Sequence, residues 1–531
     1  MAKRKKLKKA KIHPVTSYLL LIIGVIILSW ILSLFNVSAT YNSINVNTNV
    51  LEKTIVTVNN MFSFDGFRTM ISKAATNFIS FSTLSTLIIT LIGICIADVT
   101  GLIQTFMKRR LININPKILT FILFLIAIFS SIINEVGYAL LIPLGALLFL
   151  FNGRNPLAGI AAAFGGVAFG YSVNLFVGAV DMDLIPFTQR AARLIDSTFH
   201  VRMTSNMFIS IVSCIVLAIV GTIITEKFIV KKLGRYISKE KDELGNTREL
   251  EYLDLQYEEQ KKIMEASKEK KGTKAALFVG IIMTLLFIYM LIPGLPLSGL
   301  LLDSTQVGYA NQLFSSSSYF QDGFTYMLAL FFSFTGIAYG IGAKTIKDDK
   351  DLFKKLGEKL SSMGILILMI FFAAQFIAIF KESNVGTVIF IGLTNLLQNA
   401  PLSGIVLILV ALLIISFGNL FMTSSLGKWS IISPVLVPMM MQLNMSPQFA
   451  QFIFRAGEAM TNGITPLLAY FVVYIGYLNI YNKEPDKNYG IAKGMSLMGP
   501  YFIGLGLVWL LIVILWYVIG LPLGPGVFPT L

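Results

Sequence analysis

The sequence is poor in the residue types on which most soluble enzymes depend. Charged residues make up 13% of its 531 residues, against about 25% in a typical soluble domain. The two cysteines lie in apolar runs without metal-site spacing, as is typical of buried thiols. The two histidines, His13 and His200, fall outside the predicted spans, which excludes a zinc cluster built from them inside the membrane. No GxxxxGK[ST] phosphate loop occurs, so ATP hydrolysis by this chain is excluded.

Apolar residues dominate instead. The chain is 55% hydrophobic with a mean hydropathy of +0.75, and many apolar runs reach the length of about 20 residues that a bilayer-spanning helix needs. This composition predicts a multi-pass protein of the cell (cytoplasmic) membrane, with the lipid bilayer as its surroundings.

The net charge of +15 follows the predicted topology. Basic residues lie in the N-terminal arm MAKRKKLKKAK and in loops between apolar runs, as the positive-inside rule requires. The N-terminus is therefore predicted to be cytoplasmic. A nucleic-acid partner is not expected, because the basic residues do not form an aromatic-interleaved soluble domain.

The most informative stretch runs from Ser416 to Tyr470. It is apolar enough for a membrane, but Ser, Gly, Pro and Asn interrupt it, and it places Lys428, Arg455 and Glu458 where hydrocarbon should be. Irregular backbone and ionisable groups persist at that depth only inside protein or along a water-filled cavity. A weaker counterpart precedes Asp181. Two interrupted segments at corresponding places in two halves indicate the binding site of a secondary transporter.

The predicted fold is an all-α polytopic membrane protein with nine transmembrane helices and two re-entrant hairpins, arranged as an inverted-topology repeat with broken helices. Lys117 and Arg154 flank the first hairpin, and two full spans would also place both on one side; the polar tip SSIINEVGY and the short arms favour a hairpin. The predicted N-terminal half is 1–226; it contains interfacial helices in the external segment 37–78, the hairpin 118–151 and the broken helix 155–182. A charged cytoplasmic linker with helical charge spacing, 227–274, and a connector span, 275–293, follow. The predicted C-terminal inverted half is 323–531, with the hairpin 402–443 and the broken helix 446–481.

Several blocks resemble those of the p-aminobenzoyl-glutamate transporter (AbgT) family. In chain order they are IGICIADVTGLI, GRNPLAGIAAAFGGVAFGYSVNLFVGAVD, SSLGKWSIISPVLVPMMM and SPQFAQFIFRAGEAMTNGITPL. The sequence departs from the family's pattern at Glu458, where the family usually has Asp, and at Asp98, where it usually has Glu. The resemblance implies a homodimer of nine-helix protomers with two hairpins. It also implies transport of folate-pathway compounds, including p-aminobenzoyl-glutamate uptake or sulfonamide antimetabolite efflux.

Four residues are candidates for substrate binding. The fork-shaped guanidinium of Arg455 suits a substrate carboxylate bidentately, although a structural pair with Glu458, three residues on, is the alternative. The resemblance adds Trp429 and Asn419, which would stack on an aromatic ring and hydrogen-bond a carboxylate or amide; packing is the alternative for the tryptophan. Pro447 is predicted to position a helix start and to touch substrate only secondarily.

Six residues are candidates for ion coupling. Asp181 and Glu458 are the predicted proton or cation carriers, with permanent pairing or simple water exposure as the alternative. Asn174, Asn462, Ser424 and Ser425 lie where side-chain oxygens and unwound backbone would coordinate Na⁺, above all at Asn174 and Asn462; capping of turns and helices is the alternative.

The function predicted from the sequence is ion-coupled secondary transport of p-aminobenzoyl-glutamate or a related folate-pathway compound. Sulfonamide export by proton or sodium coupling belongs to the same prediction. The alternatives are a secondary transporter for another carboxylate-bearing metabolite and, less favoured, a membrane-embedded enzyme, which would need a catalytic constellation in spans that contain no histidine. No cofactor is expected beyond the coupling ion. The residues do not distinguish import from export.

Overall fold

The computed structural model describes residues 12–110, 114–133, 135–241, 247–251, 266–315, 318–483 and 488–531. Within these ranges the chain is mostly helical, as its apolar composition predicts. The basic arm 1–11 and part of the predicted linker 227–274 lie outside the described residues. The N-terminal orientation and the role of the linker therefore stay predictions.

The helices before the linker are α1 Pro14–Leu34, α2 Phe64–Ile79, α3 Ser82–Val99, α4 Leu102–Arg110, α5 Pro116–Phe129, α6 Val136–Phe151, α7 Pro156–Gly170, α8 Ala179–Ala192, α9 Met207–Ile224 and α10 Val230–Leu233. A 3-10 turn, Ser130–Ile132, follows α5, and a π-helical turn, Thr225–Ile229, joins α9 to α10.

The later helices are α11 Ala266–Tyr289, α12 Tyr309–Phe314, α13 Tyr319–Ala343, α14 Asp349–Ser361, α15 Gly364–Glu382, α16 Val385–Gln398, α17 Gly404–Asn419, α18 Ser425–Gln442, α19 Pro447–Thr461, α20 Phe471–Ile480 and α21 Ile491–Ile519. A 3-10 turn, Asn462–Ile464, ends α19.

Seven helical segments in the described part of the chain are long and apolar enough to cross a membrane: Pro14–Leu34, Phe64–Val99, Met207–Leu233, Ser267–Tyr289, Tyr319–Ala343, Gly364–Glu382 and Ile491–Ile519. They coincide with seven of the nine predicted spans, in agreement with a multi-pass membrane protein. The other two predicted spans are the broken helices, whose segments are each shorter than the about 20 residues that one span needs. The total of nine stays a prediction.

At each predicted hairpin, two helices follow each other with a short turn between them. Helices α5 and α6 have 14 and 16 residues, and α17 and α18 have 16 and 18. At 1.5 Å per residue these helices are about 21–27 Å long, shorter than a hydrocarbon core of about 30 Å. The turns are tight: a Cβ at Gly137 would lie 1.9 Å from Ser130 Oγ, and one at Gly427 would lie 3.2 Å from Ser424 Oγ. The re-entrant course of both hairpins stays a prediction.

Both broken helices begin with a side-chain cap followed by proline. Asn155 and Ser446 accept hydrogen bonds from backbone N–H groups of the first helical turn, and a proline follows each of them. Residues 171–178 separate α7 from α8, and residues 465–470 separate the end of α19 from α20. Each break leaves backbone groups without helical partners, and these groups are available to other side chains.

The expectation of an all-α chain is wrong at two β-hairpins. Strand β1, Ser38–Ile44, pairs antiparallel with β2, Leu51–Thr57, in the segment predicted to hold interfacial helices only. The Thr, Ile and Val of β2 favour a strand, and the Asn45 side chain accepts two backbone hydrogen bonds in the turn. In the predicted linker, β3, Ile237–Lys241, pairs antiparallel with β4, Thr247–Glu251, where charge spacing had suggested helix.

The broken helices are the innermost elements of the fold. Every residue of α7 is buried, and so is every residue of α19 except Met460. Small side chains permit this packing: a Cβ at Gly159 would lie 2.0 Å from the carbonyl oxygen of Gly145 in α6. The polar residues of both helices are therefore held inside protein rather than against lipid.

Candidate functional site

The break of the first broken helix meets the middle of α19. Arg455 Nη2 donates a hydrogen bond to the Tyr171 carbonyl (2.9 Å), and Ser172 Oγ donates one to the Arg455 carbonyl (2.5 Å). Because α7 ends at Gly170, its last carbonyls lack helical donors and carry partial negative charge. The guanidinium thus caps the end of α7, and it fixes one half of the chain against the other.

Four charged side chains form a continuous chain of ion pairs, here called the charge quartet: Asp181, Arg455, Glu458 and Lys428. Arg455 Nε lies 3.1 Å from Asp181 Oδ1, and Arg455 Nη1 lies 3.1 Å from Glu458 Oε2. Lys428 Nζ lies 2.7 Å from Glu458 Oε1. The side chains of Lys428, Glu458 and Arg455 are 0%, 1% and 4% exposed, whereas that of Asp181 is 25% exposed. Two cations and two anions balance, as buried charges require.

Helix dipoles support this arrangement. Asp181 stands in the first turn of α8, where the partial positive charge of the helix N-terminus favours a carboxylate. Gly178 precedes that turn, and a Cβ there would lie 2.7 Å from Asn174 Nδ2 and 3.3 Å from Asp181 Oδ2. The absence of a side chain at this glycine leaves room for the Asn174 amide and the Asp181 carboxylate on either side of it.

Asn419, the last residue of α17, connects the quartet to the end of α19. Its Oδ1 accepts a short hydrogen bond from Lys428 Nζ. Its Nδ2 donates to the Glu458 carbonyl (3.1 Å), to Thr461 Oγ1 (3.1 Å) and to Asn462 Oδ1 (2.8 Å). The tip of the second hairpin is thereby tied to the second helix break.

Trp429 is completely buried beside the quartet. Its Nε1 donates to Thr188 Oγ1 (3.0 Å), and the Thr188 hydroxyl donates to Gln451 Oε1 (2.5 Å). Gln451 Nε2 reaches the Asp181 carbonyl at 3.4 Å, and the indole packs on Phe454 with ring centroids 4.7 Å apart. The tryptophan therefore positions α8 and α19 against the second hairpin.

A small pocket, whose water-accessible volume is about 30 Å³, opens next to Asp181 and Arg455. It lies between α8, α19 and the segment that leads into α9. Its polar lining residues are Ser172, Asp181, Arg202, Ser205, Asn206, Ser210, Gln448, Gln451 and Arg455. Its apolar lining residues are Phe176, Val177, Ile185, Val201, Met203, Met207 and Phe452. A cationic end beside amides, hydroxyls and aromatic rings suits a small anionic aromatic molecule.

The structure brings most of the predicted site residues together, directly or through one neighbour: Asn174, Asp181, Asn419, Trp429, Arg455, Glu458 and Asn462. Pro447 occupies the first turn of α19, as predicted, and its neighbour Gln448 lines the pocket. Ser424 is exposed and caps α18 by accepting from the Gly427 N–H (3.2 Å), and Ser425 is the first residue of that helix. The geometry of Ser424 is thus that of a cap.

Asp98 lies apart from the quartet. Its carboxylate pairs with Lys359 of α14 (Oδ2 to Nζ, 2.7 Å) and accepts a hydrogen bond from Gln104 Nε2 (2.7 Å). It connects the end of α3 to α14.

Lys428 is a member of the quartet that is not among the residues predicted from the sequence to form the site. Its position at a polar hairpin turn suggests solvent exposure, yet it is fully buried. The balance of charges among the predicted site residues could have indicated that Lys428 belongs to the site. Asp181 and Glu458 carry two negative charges against the single charge of Arg455, so a second cation was needed if all three are buried together.

Replacing Glu458 by glutamine is expected to lower the free energy of unfolding by about 3–5 kcal/mol, because two buried cations lose their shared carboxylate. The measurement is thermal unfolding of the purified protein in detergent. Glu358→Gln, at an exposed position in α14, is the matched control and should leave the melting temperature unchanged. Equal melting temperatures for the two variants would contradict the pairing described here.

The chain is similar to one family model and to several known proteins. A family model described as "AbgT putative transporter family" matches residues 6–531. The p-aminobenzoyl-glutamate transport protein of Escherichia coli (strain K12) is 31% identical over 519 residues, which cover 98% of this chain and 94% of that protein. Among solved structures, the Alcanivorax borkumensis YdaH transporter is 27% identical with a TM-score of 0.47, covering 97% of this chain and 100% of that one. Neisseria gonorrhoeae MtrF, described as illuminating a class of antimetabolite efflux pumps, is 30% identical with a TM-score of 0.48 and covers 98% of each chain.

Proposed function

Because this chain belongs to the AbgT putative transporter family, we propose that it is an ion-coupled secondary transporter of p-aminobenzoyl-glutamate or a closely related folate-pathway compound. The family and the curated relative are transporters, which removes the membrane-embedded enzyme left open by the sequence. The substrate, the coupling ion and the export of sulfonamides belong to the proposal.

The pairing of Arg455 with Asp181 at the edge of the pocket carries this proposal. Arg455 reaches the pocket, and Asp181 is the most exposed member of the quartet. A substrate carboxylate entering the pocket would take the place of the Asp181 carboxylate on the Nε side of the guanidinium. Arg455 would keep its bonds to Glu458 and to the Tyr171 carbonyl, so the exchange replaces one charge-assisted pair by another.

The remaining lining fits the rest of such a substrate. Gln448, Gln451 and Ser172 supply amide and hydroxyl groups for an amide linkage and an amino group. Phe176 and Phe452 supply rings against which an aminobenzoyl ring would stack. A second carboxylate, as in a glutamate tail, would face Arg202 at the pocket wall.

Coupling follows from the same exchange. A carboxylate of the substrate and the carboxylate of Asp181 compete for one side of Arg455. Protonation of Asp181 removes its charge and favours the substrate, and deprotonation favours release. A proton and a substrate carboxylate would then cross together. The quartet is neutral without substrate, and with Asp181 protonated it is neutral once the bound carboxylate is counted.

The same proposal includes the membrane arrangement: two re-entrant hairpins, a cytoplasmic N-terminus and a homodimer in the cell membrane. The short helices α5, α6 and α17 support re-entrant hairpins, because a helix shorter than the hydrocarbon core does not cross it unaided.

Reconstitution into liposomes tests the proposal. Flux of labelled p-aminobenzoyl-glutamate, and separately of a labelled sulfonamide, is followed under imposed pH gradients of either direction and under Na⁺ gradients. Saturable flux that responds to the direction of the pH gradient is expected, and it also gives the direction of transport. Glutamate and p-aminobenzoate as competitors define the recognised part of the substrate. Flux equal to that of protein-free liposomes for both compounds would overturn the proposed substrate class.

A further inference from the structure

We propose that Lys428 is a built-in cation, whose ammonium group occupies the position that a coupling Na⁺ would otherwise take between Glu458 and Asn419, so that this transporter works without Na⁺. The inference deepens the proposed function and rests on it for its consequence in transport. Its structural part, that the Lys428 ammonium occupies a cation site, depends only on the contacts of the quartet.

The surroundings of the Lys428 ammonium are those of a cation site. A carboxylate oxygen of Glu458 and the amide oxygen of Asn419 face Nζ, and carboxylate and amide oxygens are the ligands that hard cations prefer in proteins. The Phe454 ring adds a π face 5.8 Å from Nζ. The side chain has no exposed surface, so its charge is held permanently inside the protein.

Charge balance explains why no further cation is needed. Arg455, on the far side of Glu458, shares that carboxylate through its second oxygen and continues to Asp181. The four charges sum to zero. Without Lys428 the remaining three would leave one uncompensated negative charge among buried groups, and a monovalent cation would restore neutrality.

Asn462, one of the two residues predicted above all to bind Na⁺, already has a hydrogen-bond partner. Asn462 Oδ1 accepts a hydrogen bond from Asn419 Nδ2 at 2.8 Å, so that oxygen faces a donor. A sodium ion at this place would have to turn the Asn419 amide around and displace the ammonium from its oxygen. We therefore infer that the ammonium group of Lys428, and not Na⁺, is the cation in this part of the site.

Thermal unfolding in detergent tests the structural part independently of any substrate. The melting temperature is measured in NaCl and in choline chloride at equal ionic strength. The wild type is expected to give the same value in both. Lys428→Gln is expected to melt lower in choline and to gain about 2 °C or more as Na⁺ is raised to saturation, because a ligand that binds only the folded state stabilises it.

Two further variants complete the test. Lys428→Gln combined with Glu458→Gln restores neutrality without a cation and should lose the response to Na⁺. Lys355→Gln removes a lysine that pairs with Asp351 in α14, away from the quartet, and should show no response. A wild type stabilised by Na⁺, or a folded Lys428→Gln indifferent to it, overturns the inference. If Lys428→Gln does not fold, the melting temperatures of the wild type and the double variant in Na⁺ and in choline still test the inference.

The transport part uses the same variants in liposomes. Wild-type flux should be unchanged when choline replaces Na⁺ on both sides, and flux by Lys428→Gln should rise about fivefold or more with Na⁺. Sodium-dependent wild-type flux would overturn the inference while leaving the proposed function intact. If the wild-type protein transports neither compound under any gradient, the proposed function is wrong. The melting temperatures then still test the role of Lys428.

Discussion

Replacing Arg455 by lysine is expected to reduce transport about 100-fold or more. The guanidinium donates to three different partners at once, namely Asp181, Glu458 and the Tyr171 carbonyl. An ammonium has no planar fork and keeps at most part of this set. Leaving a buried partner unpaired costs about 3–5 kcal/mol, and each 1.4 kcal/mol corresponds to about tenfold in an equilibrium. The side of the guanidinium that would receive a substrate carboxylate is lost as well.

A matched arginine separates this effect from a general loss of stability. Arg154 is also well buried and ion-paired, with Nη2 lying 2.7 Å from Glu226 Oε1, but it lies outside the quartet and the pocket. Arg154→Lys should lower the melting temperature and retain most of the flux. Both variants are compared as purified protein, by melting temperature and by initial rate in liposomes. Normal transport by Arg455→Lys would refute a role of this residue in holding substrate.

Replacing Asp181 by asparagine is expected to abolish accumulation driven by a pH gradient while exchange of labelled for unlabelled substrate continues. Asparagine keeps the shape of the side chain but carries no proton between the two sides. Arg455 would stay paired with Glu458, so the pocket would still present a cationic end. Accumulation and exchange are measured in the same liposome preparation, and their ratio reports coupling.

Asp322 provides the control for this second variant. It is also an aspartate in the first turn of a helix, α13, but it is exposed. Asp322→Asn should accumulate substrate as the wild type does. If Asp181→Asn still concentrates substrate with an unaltered dependence on pH, Asp181 is not the proton carrier.

The sequence predicted the parts of the site that depend on local spacing. Arg455 and Glu458 stand three residues apart, which places them on one helical face, and the structure pairs them. Asn155-Pro156 and Ser446-Pro447 are local capping signals, and both helices begin there. Helix α7 is also rich in small residues, which favour close packing, and all of α7 is buried.

The parts that depend on distant contacts could not be derived in this way. Trp429 and Thr188 are 241 residues apart in the sequence, and no periodicity indicates that they share a hydrogen bond. The sequence also does not indicate whether a polar turn faces solvent or the protein interior. Lys428 follows a polar turn, as an exposed lysine would, but the turn faces the protein interior and Glu458 receives the charge.

The β1–β2 hairpin shows a different limit. Its strands are seven residues long, and the segment between α1 and α2 carries neither a long apolar run nor a strong alternation of apolar and polar residues. Composition assigned it to an interfacial region with helices. The pairing of Ser38 with Thr57 through Ile44 with Leu51 is formed by main-chain hydrogen bonds that side-chain patterns specify only weakly.

The contact of Tyr171 and Ser172 with Arg455 limits how the molecule can move. Two hydrogen bonds tie Arg455 to the broken end of α7: its guanidinium donates to the Tyr171 carbonyl, and the Ser172 hydroxyl donates to the Arg455 carbonyl. If one half rocks against the other to expose the pocket on alternate sides, this point either stays still or loses both bonds together with the capping of α7. In the first case the crossing is a pivot, with the largest displacements at the outer spans and the smallest at the charges themselves.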